Sequence, residues 1–288
     1  MNRESFLDTR APTTAEWAGA NGRRWASVAE RIESQLEPVS DVLFEHARLA
    51  PGERVLDVGC GRGVTTRRAA TEVDPGGSVT GVDVAENLIA EARKIPAEGV
   101  PISWQVGDAQ RQELAPDHHD AVISRFGVMF FDDPMVAFGN LATTTRPGGR
   151  LALVVWQARD RSAVLQRTLD VAAKTVSRLG YDLELPPADA GPFAYGDPGF
   201  ARELLEESGW TDVEIHPRSI EMYACGPGTV EEIVEIGFTI GPLHAALVEA
   251  PDAVRAAVRD ALVEELTPLH DGTGVQLAGA IAILTARR

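Results

Sequence analysis

Basic residues are scarce in this chain: 27 lysines and arginines stand against 43 acids in 288 residues, a formal charge of −16. Only Lys94 and Lys174 are lysines. That balance argues against a nucleic-acid partner, because phosphate binding draws its affinity from clustered cations. Cysteine is nearly absent. Cys60 and Cys225 cannot build a multi-bridge framework, so a reducing, cytoplasmic setting is expected. No run of about 18 apolar residues occurs. The first residues, Met1-Asn2-Arg3-Glu4-Ser5, lead into no apolar stretch, so neither a membrane span nor a signal peptide is expected. Histidine and cysteine show no zinc spacing, and no metal is expected. What remains, 44% hydrophobic and 24% charged, can bury a large core.

The length favours one domain with insertions. Residues 1–12 read as frayed, 14–36 as a helix and Val39–Leu49 as a second one. From Arg54 onward strands and helices alternate. Strands are expected at Arg54–Val58, Ser78–Val82, Ile102–Val106, Asp120–Ile123 and Leu151–Trp156. Helices are expected at Gly63–Thr71, Ala85–Lys94 and Pro134–Thr145, and Arg146–Gly149 reads as a turn. Such alternation predicts an α/β fold with a parallel sheet covered on both faces. Further on, residues 162–180 read as helix, and Asp197-Pro198 opens another that Gly209 closes. Asp212–Met222 reads as a strand, Thr229-Val230-Glu231-Glu232 as a capping box and Asp252–Leu266 as a helix. Val275–Thr285 reads as a buried strand. The spacing of Ile233, Ile236, Gly237, Ile240, Leu243, Leu247 and Val248 predicts one helix with an apolar face.

The most informative stretch is Val55-Leu56-Asp57-Val58-Gly59-Cys60-Gly61-Arg62-Gly63, a strand running into a glycine loop that opens a helix. Glycines let a ligand approach the backbone, and the helix start offers free N–H groups. The spacing is G-x-G-x-G and not the G-x-G-x-x-G of dinucleotide binders, which disfavours an NAD(P) oxidoreductase. Asp57 would repel a pyrophosphate but suits an ammonium group. Asp83 ends the second strand, where an acid can accept two ribose hydroxyls. Asp108 ends the third strand, in Val106-Gly107-Asp108-Ala109, and suits an adenine amino group. Adenosine with an amino-acid tail describes S-adenosylmethionine (SAM).

On VLDVGCGRG (55–63), GVDVAENLIAEAR (81–93), VGDAQ (106–110), DAVISRFGVMFFDD (120–133) and RPGGRLALVVW (146–156), the chain resembles the class I SAM-dependent methyltransferases. The likeness extends to the branch of ubiquinone/menaquinone C-methyltransferases and bacterial natural-product enzymes, through Trp17–Trp25 and the last strand, Val275–Arg287. The resemblance implies a seven-stranded Rossmann-like sheet, order 3-2-1-4-5-7-6, with the last strand antiparallel. It implies an N-terminal helical lid at 1–49 and a SAM-binding domain at 50–288, with helical cover inserted at 157–196 and 223–273. The implied cofactor contacts are Asp57, Gly59, Cys60, Gly61, Gly63, Asp83, Val84, Leu88, Gly107, Asp108, Ala109, Ser124, Arg125, Phe126 and Trp25. Cys60 itself reads as a small packing residue.

The expected product is a methylated small, partly apolar natural product. Quinone C-methylation, or SAM binding without methyl transfer, are the alternatives. A small-molecule acceptor is the expected partner, and the chain is expected to be a monomer or homodimer. Phe130, Trp156, Tyr195, Ile236 and Ile240 are the expected acceptor-pocket residues. Ser124-Arg125-Phe126-Gly127 replaces the Asn/Asp-Pro-Pro-aromatic motif of base-amine methyltransferases, which again argues against nucleic acid. Asp132-Asp133-Pro134 reads as a helix cap, not a metal pair. Ligands of open α/β sheets bind beyond the carboxyl ends of the strands. His118 and His119 precede the fourth strand, so they are expected in an exposed loop at the wrong edge. His46 and His216 are expected to lie away from the site. His244 and His270 are the candidate catalytic histidines, since 223–273 starts at the ligand edge.

Overall fold

The computed structural model describes residues 12–288; the frayed reading of residues 1–12 falls outside these except at Pro12. The chain opens with a helical turn, Thr14–Glu16, a π-helical segment, Trp17–Asn21, and α1 (Gly22–Gln35). One helix was expected over 14–36. The interruption sits where Gly19 leaves helical geometry (φ −116°, ψ −109°), a departure that glycine tolerates. Next come α2 (Glu37–Ala47), β1 (Arg54–Val58), α3 (Val64–Glu72), β2 (Ser78–Asp83), α4 (Glu86–Ala92), β3 (Ile102–Val106), β4 (His119–Arg125), α5 (Pro134–Thr144) and β5 (Thr145–Trp156). The second half holds α6 (Ala163–Arg178), α7 (Pro198–Glu207), β6 (Thr211–Tyr223), α8 (Val230–Thr239), α9 (Gly241–Leu247), α10 (Asp252–Leu266) and β7 (Gln276–Arg287).

The strands form one sheet in the order β3-β2-β1-β4-β5-β7-β6. β1 to β5 pair parallel, and β7 runs antiparallel to both β5 and β6. The central strands are largely apolar because helices cover both faces. Val55, Leu56, Ile123, Leu153, Ile281 and Ile283 are all fully buried. The caps read in the sequence are made: Asp133 accepts from Val136 N–H, Asp197 from Phe200 N–H, and Thr229 and Glu232 close a capping box. Arg146–Gly149 forms a bulge within β5, between Thr145 and Arg150, with Gly148 at φ 78°.

Two expectations need correction. The apolar run Ile233–Val248 is not one helix. It breaks at Ile240 (φ −139°), between α8 and α9, because Gly241 (φ 78°) and Pro242 follow, and proline has no N–H to continue the ladder. Val248 consequently ends up exposed. His119 is not an exposed loop residue. It starts β4, is buried, and its Nδ1 meets Thr144 Oγ1 at 2.9 Å, while Nε2 has no partner.

Burial holds the His119 imidazole down at about 4, helped by the neighbouring His118 and Arg54. A histidine depressed in the native state is protonated first in the unfolded chain. Its contribution to stability is present at neutral pH and is lost as pH falls from the ordinary 6.5 toward 4. We expect His119→Gln to remove about 2–4 kcal/mol of that acid-side loss. Urea unfolding of both proteins at pH 7 and pH 4.5, extrapolated linearly to water, measures it. Parallel pH dependences would contradict it.

Candidate active site

β1 ends at Val58 and the glycine loop turns over it. Gly59 and Cys60 donate to Val82 O (2.9 and 3.1 Å), and Gly61 donates to Asp83 Oδ2 at 2.8 Å. Gly59, Gly61 and Gly63 all adopt left-handed φ, between 54° and 78°. At Gly59 this freedom is compulsory for a second reason: a Cβ there would lie 2.6 Å from Gly127 Cα. The loops after β1 and β4 therefore pack backbone on backbone, and the space above them is left for a ligand.

That space is a single cavity of about 690 Å³. At one end its wall is made by Gly59, Cys60, Gly61, Asp83, Val84, Leu88, Gly107, Asp108 and Ala109, the edge where β1, β2 and β3 end. Asp83 Oδ1 also accepts from Ala85 N–H, and Asp108 Oδ1 from Gln110 N–H, so each acid holds its own turn as well as facing the cavity. Burial raises the Asp83 carboxyl above its usual range, against its two backbone hydrogen bonds. At the other end the wall is largely apolar: Met129, Phe130, Trp156, Val164, Phe193, Ile233, Ile240 and Leu262. Phe126 also lines the cavity and stacks on Trp156 (4.4 Å, 10°). It holds φ 68°, unusual for an aromatic residue. Trp17 and Trp25 close the N-terminal side, 5.9 Å apart edge to face, with Trp17 also 4.9 Å from Phe130.

Three residues expected at the cofactor lie behind the wall. Asp57 is fully buried, and its Oδ2 accepts from the hydroxyls of Thr65 (2.7 Å) and Thr66 (2.6 Å); Oδ1 has no partner. Burial pushes its carboxyl up to about 6 against those two hydrogen bonds. Ser124 Oγ donates to Val58 O at 2.7 Å and so ties β4 to β1. Gly63 is packed by the Trp104 ring, which a Cβ would strike at 2.1 Å. Two expected acceptor residues are also absent from the wall: Tyr195 is buried against Phe138 and Phe200, and Ile236 points into the core. His270 lies outside the cavity, with Nε2 on Gly228 O and Nδ1 accepting from Gly272 N–H. Both of its nitrogens are thereby engaged. His244 does line the cavity.

The sequence reading missed Arg24 and Glu33, which line the cavity on the same face of α1 as Trp25. The signal was the helical spacing 17, 21, 24, 25, 32 and 36, all cavity-lining positions. Burial raises the Glu33 carboxyl, opposed by Arg62 and Arg125. Arg125 is itself anchored, donating to Ser40 Oγ at 2.7 Å, and burial lowers its proton affinity.

Residues 55–149 match a family described as a methyltransferase domain. The matched stretch is about a third of the chain. It contains β1 to β4, the glycine loop and the cavity-facing Asp83 and Asp108. The whole chain is similar to nocamycin O-methyltransferase of Saccharothrix syringae, 29% identical over 87% of this chain and 90% of the relative. An uncharacterized protein of Mycobacterium tuberculosis is 30% identical over 63% of this chain, and the match spans 65% of that relative's length. Among solved structures, the [4+2]-cyclase SpnF shares the fold at a TM-score of 0.54 and 18% identity, covering 96% of this chain and 97% of that one. The seven-stranded sheet with helices on both faces has the Rossmann-like methyltransferase architecture. No helix of the described residues is long and apolar enough to cross a membrane.

Proposed function

We propose that the protein transfers a methyl group from SAM to a small, partly apolar metabolite of natural-product type. The observation that carries this reading is the single cavity joining the glycine loop and two acids to an apolar chamber. The wall fits the cofactor. Asp83 would hold the ribose hydroxyls and Asp108 the adenine amino group. The open backbone at Gly61, where a Cβ would meet nothing, leaves room for the amino-acid tail. Arg125 would face its carboxylate and Glu33 its ammonium group, the role that Asp57, sealed behind the wall, does not reach.

When bound, SAM supplies a methyl already activated by a positive sulfonium. The task of the chain's own residues is therefore positioning and exclusion of water. Trp156 and Phe126 would orient the acceptor. The N-terminal helix, residues 157–196 and residues 223–273 would act as cover. Both cysteines are free, which fits a cytoplasmic setting.

The test is incubation with methyl-labelled SAM and an extracted metabolite pool. Label is expected in an organic-soluble product. Tight SAM binding with no labelled product would favour the non-transferring alternative, and NADH binding in place of SAM would contradict both. A narrower expectation concerns Ile240, on the apolar wall. Ile240→Trp fills acceptor space, so acceptor preference should shift while SAM affinity stays within about twofold, less than about 0.5 kcal/mol. A parallel loss of SAM affinity would contradict that division of the cavity.

A further inference from the structure

We propose that His244 is the proton acceptor for an ionisable hydroxyl, so that the acceptor is a phenol or enol carried on an apolar skeleton and methylated on oxygen. This rests on the methyl-transfer reading and narrows it.

The argument begins at the break between α8 and α9. In a continuous helix the Phe238 carbonyl would accept from the backbone N–H of residue 242. Residue 242 is proline and has no N–H. The carbonyl is left free, and His244 Nδ1 lies 2.8 Å from it. A carbonyl only accepts, so Nδ1 must carry the hydrogen. The bond fixes the tautomer and leaves Nε2 as the lone-pair nitrogen. Among the described residues Nδ1 is the ring nitrogen that is engaged, and the residue lines the cavity.

The surroundings favour the unprotonated form of that nitrogen. Burial lowers the proton affinity of His244 against the Phe238 hydrogen bond, and Arg24 of α1 and Arg255 of α10 lower it further. Among the described residues no carboxylate acts on it. Arg24 also lines the cavity, holds only the Asn21 side chain and has no carboxylate partner among the described residues. Its charge suits an oxygen that becomes anionic. The other titratable groups of the wall are less suited. The thiols of Cys60 and Cys225 are pushed up by burial, Asp83 and Asp108 belong to the glycine-loop end, Glu33 faces Arg62 and Arg125, and Glu16 accepts from the Thr13 N–H and hydroxyl.

The step balances as follows. The acceptor oxygen forms its bond to the methyl carbon while the methyl–sulfur bond breaks, leaving its electron pair on a neutral thioether. The O–H proton passes to Nε2. The resulting imidazolium releases it to solvent after the product leaves.

The probes are 2-naphthol, un-ionised at neutral pH, and 2-naphthoic acid, already ionised. In His244→Gln and His244→Asn, kcat/KM for 2-naphthol should fall by roughly a hundredfold or more, the scale of general-base catalysis. For 2-naphthoic acid it should fall less than about fivefold, because that oxygen has no proton to give up. SAM affinity should be unchanged by calorimetry. The acidic limb of the 2-naphthol pH profile should lie below the ordinary imidazole range in the wild type and vanish in both variants. A second readout needs no turnover. Without SAM, 2-naphthol should shift the Nε2 NMR resonance of His244, and 2-methoxynaphthalene, which has no hydroxyl, should not. Equal losses for the two probes, preferential methylation of 2-naphthylamine, or identical shifts from both naphthalenes would overturn the inference and leave methyl transfer standing. No transfer from SAM to any acceptor would overturn the underlying reading as well.

Discussion

Asp83→Ala should weaken SAM binding by about 1.5–3 kcal/mol, the range for hydrogen bonds to a charged group, or one to two powers of ten in Kd. The carboxylate occupies two positions at once. It faces the cavity at the end of β2, and its oxygens accept from Gly61 and Ala85 N–H. Alanine removes the acceptor proposed for the ribose hydroxyls and also releases the glycine loop. Asparagine is no clean rescue, since its amide oxygen can serve one of those N–H groups while its NH2 confronts the other. Asp83→Asn is therefore expected to fall between wild type and Asp83→Ala. Calorimetric titration of SAM checks both variants. Unchanged affinity in a folded Asp83→Ala protein would remove this residue from the account.

Gly59→Ala should damage both stability and cofactor binding. At φ 67° a non-glycine residue costs about 1–2 kcal/mol in the left-handed region alone. The added methyl would also lie 2.6 Å from Gly127 Cα, a backbone atom that cannot swing aside. Relief requires the β1 and β4 loops to separate, and those loops form the cavity floor. The expected result is a loss of at least about 2 kcal/mol in urea unfolding, the sum of backbone strain and displaced packing, with SAM binding reduced more than tenfold. Gly61→Ala offers a contrast. Its φ is also positive, yet nothing lies within reach of the new Cβ, so stability should fall by the strain alone. Equal stability losses in the two variants would show that the Gly59–Gly127 contact is unimportant.

The sheet was legible because each of its strands carries its own punctuation. Arg54–Val58 and Ile102–Val106 have the bounds their apolar patterns imply, and Asp252–Leu266 is the helix read from the sequence. The cover was harder. Gly241-Pro242 is a strong breaker, but the apolar spacing across it is helical on both sides and conceals the break. At the site, Asp83 and Asp108 were readable as strand-end acids and do face the cavity. Asp57 was not readable in the same way, because what engages it, the pair Thr65 and Thr66, lies on the following helix and gives no separate signal. Arg24 and Glu33 were overlooked since charges on a helix usually mark its solvated face; here that face turns into a cavity. Tyr195 and Ile236 show the converse, large side chains in cover segments that pack inward on the core.

The central claim is that one cavity holds SAM at the glycine loop and presents its methyl to the chamber covered by α8 and α9. A crystal structure of the SAM complex tests it most directly. The account predicts ribose hydroxyls on Asp83, adenine beside Asp108, and the sulfonium methyl directed at Trp156 and Ile240, with α8 or α9 within about 10 Å, one helix diameter. SAM bound elsewhere, or a methyl group farther than that from both helices, would contradict it.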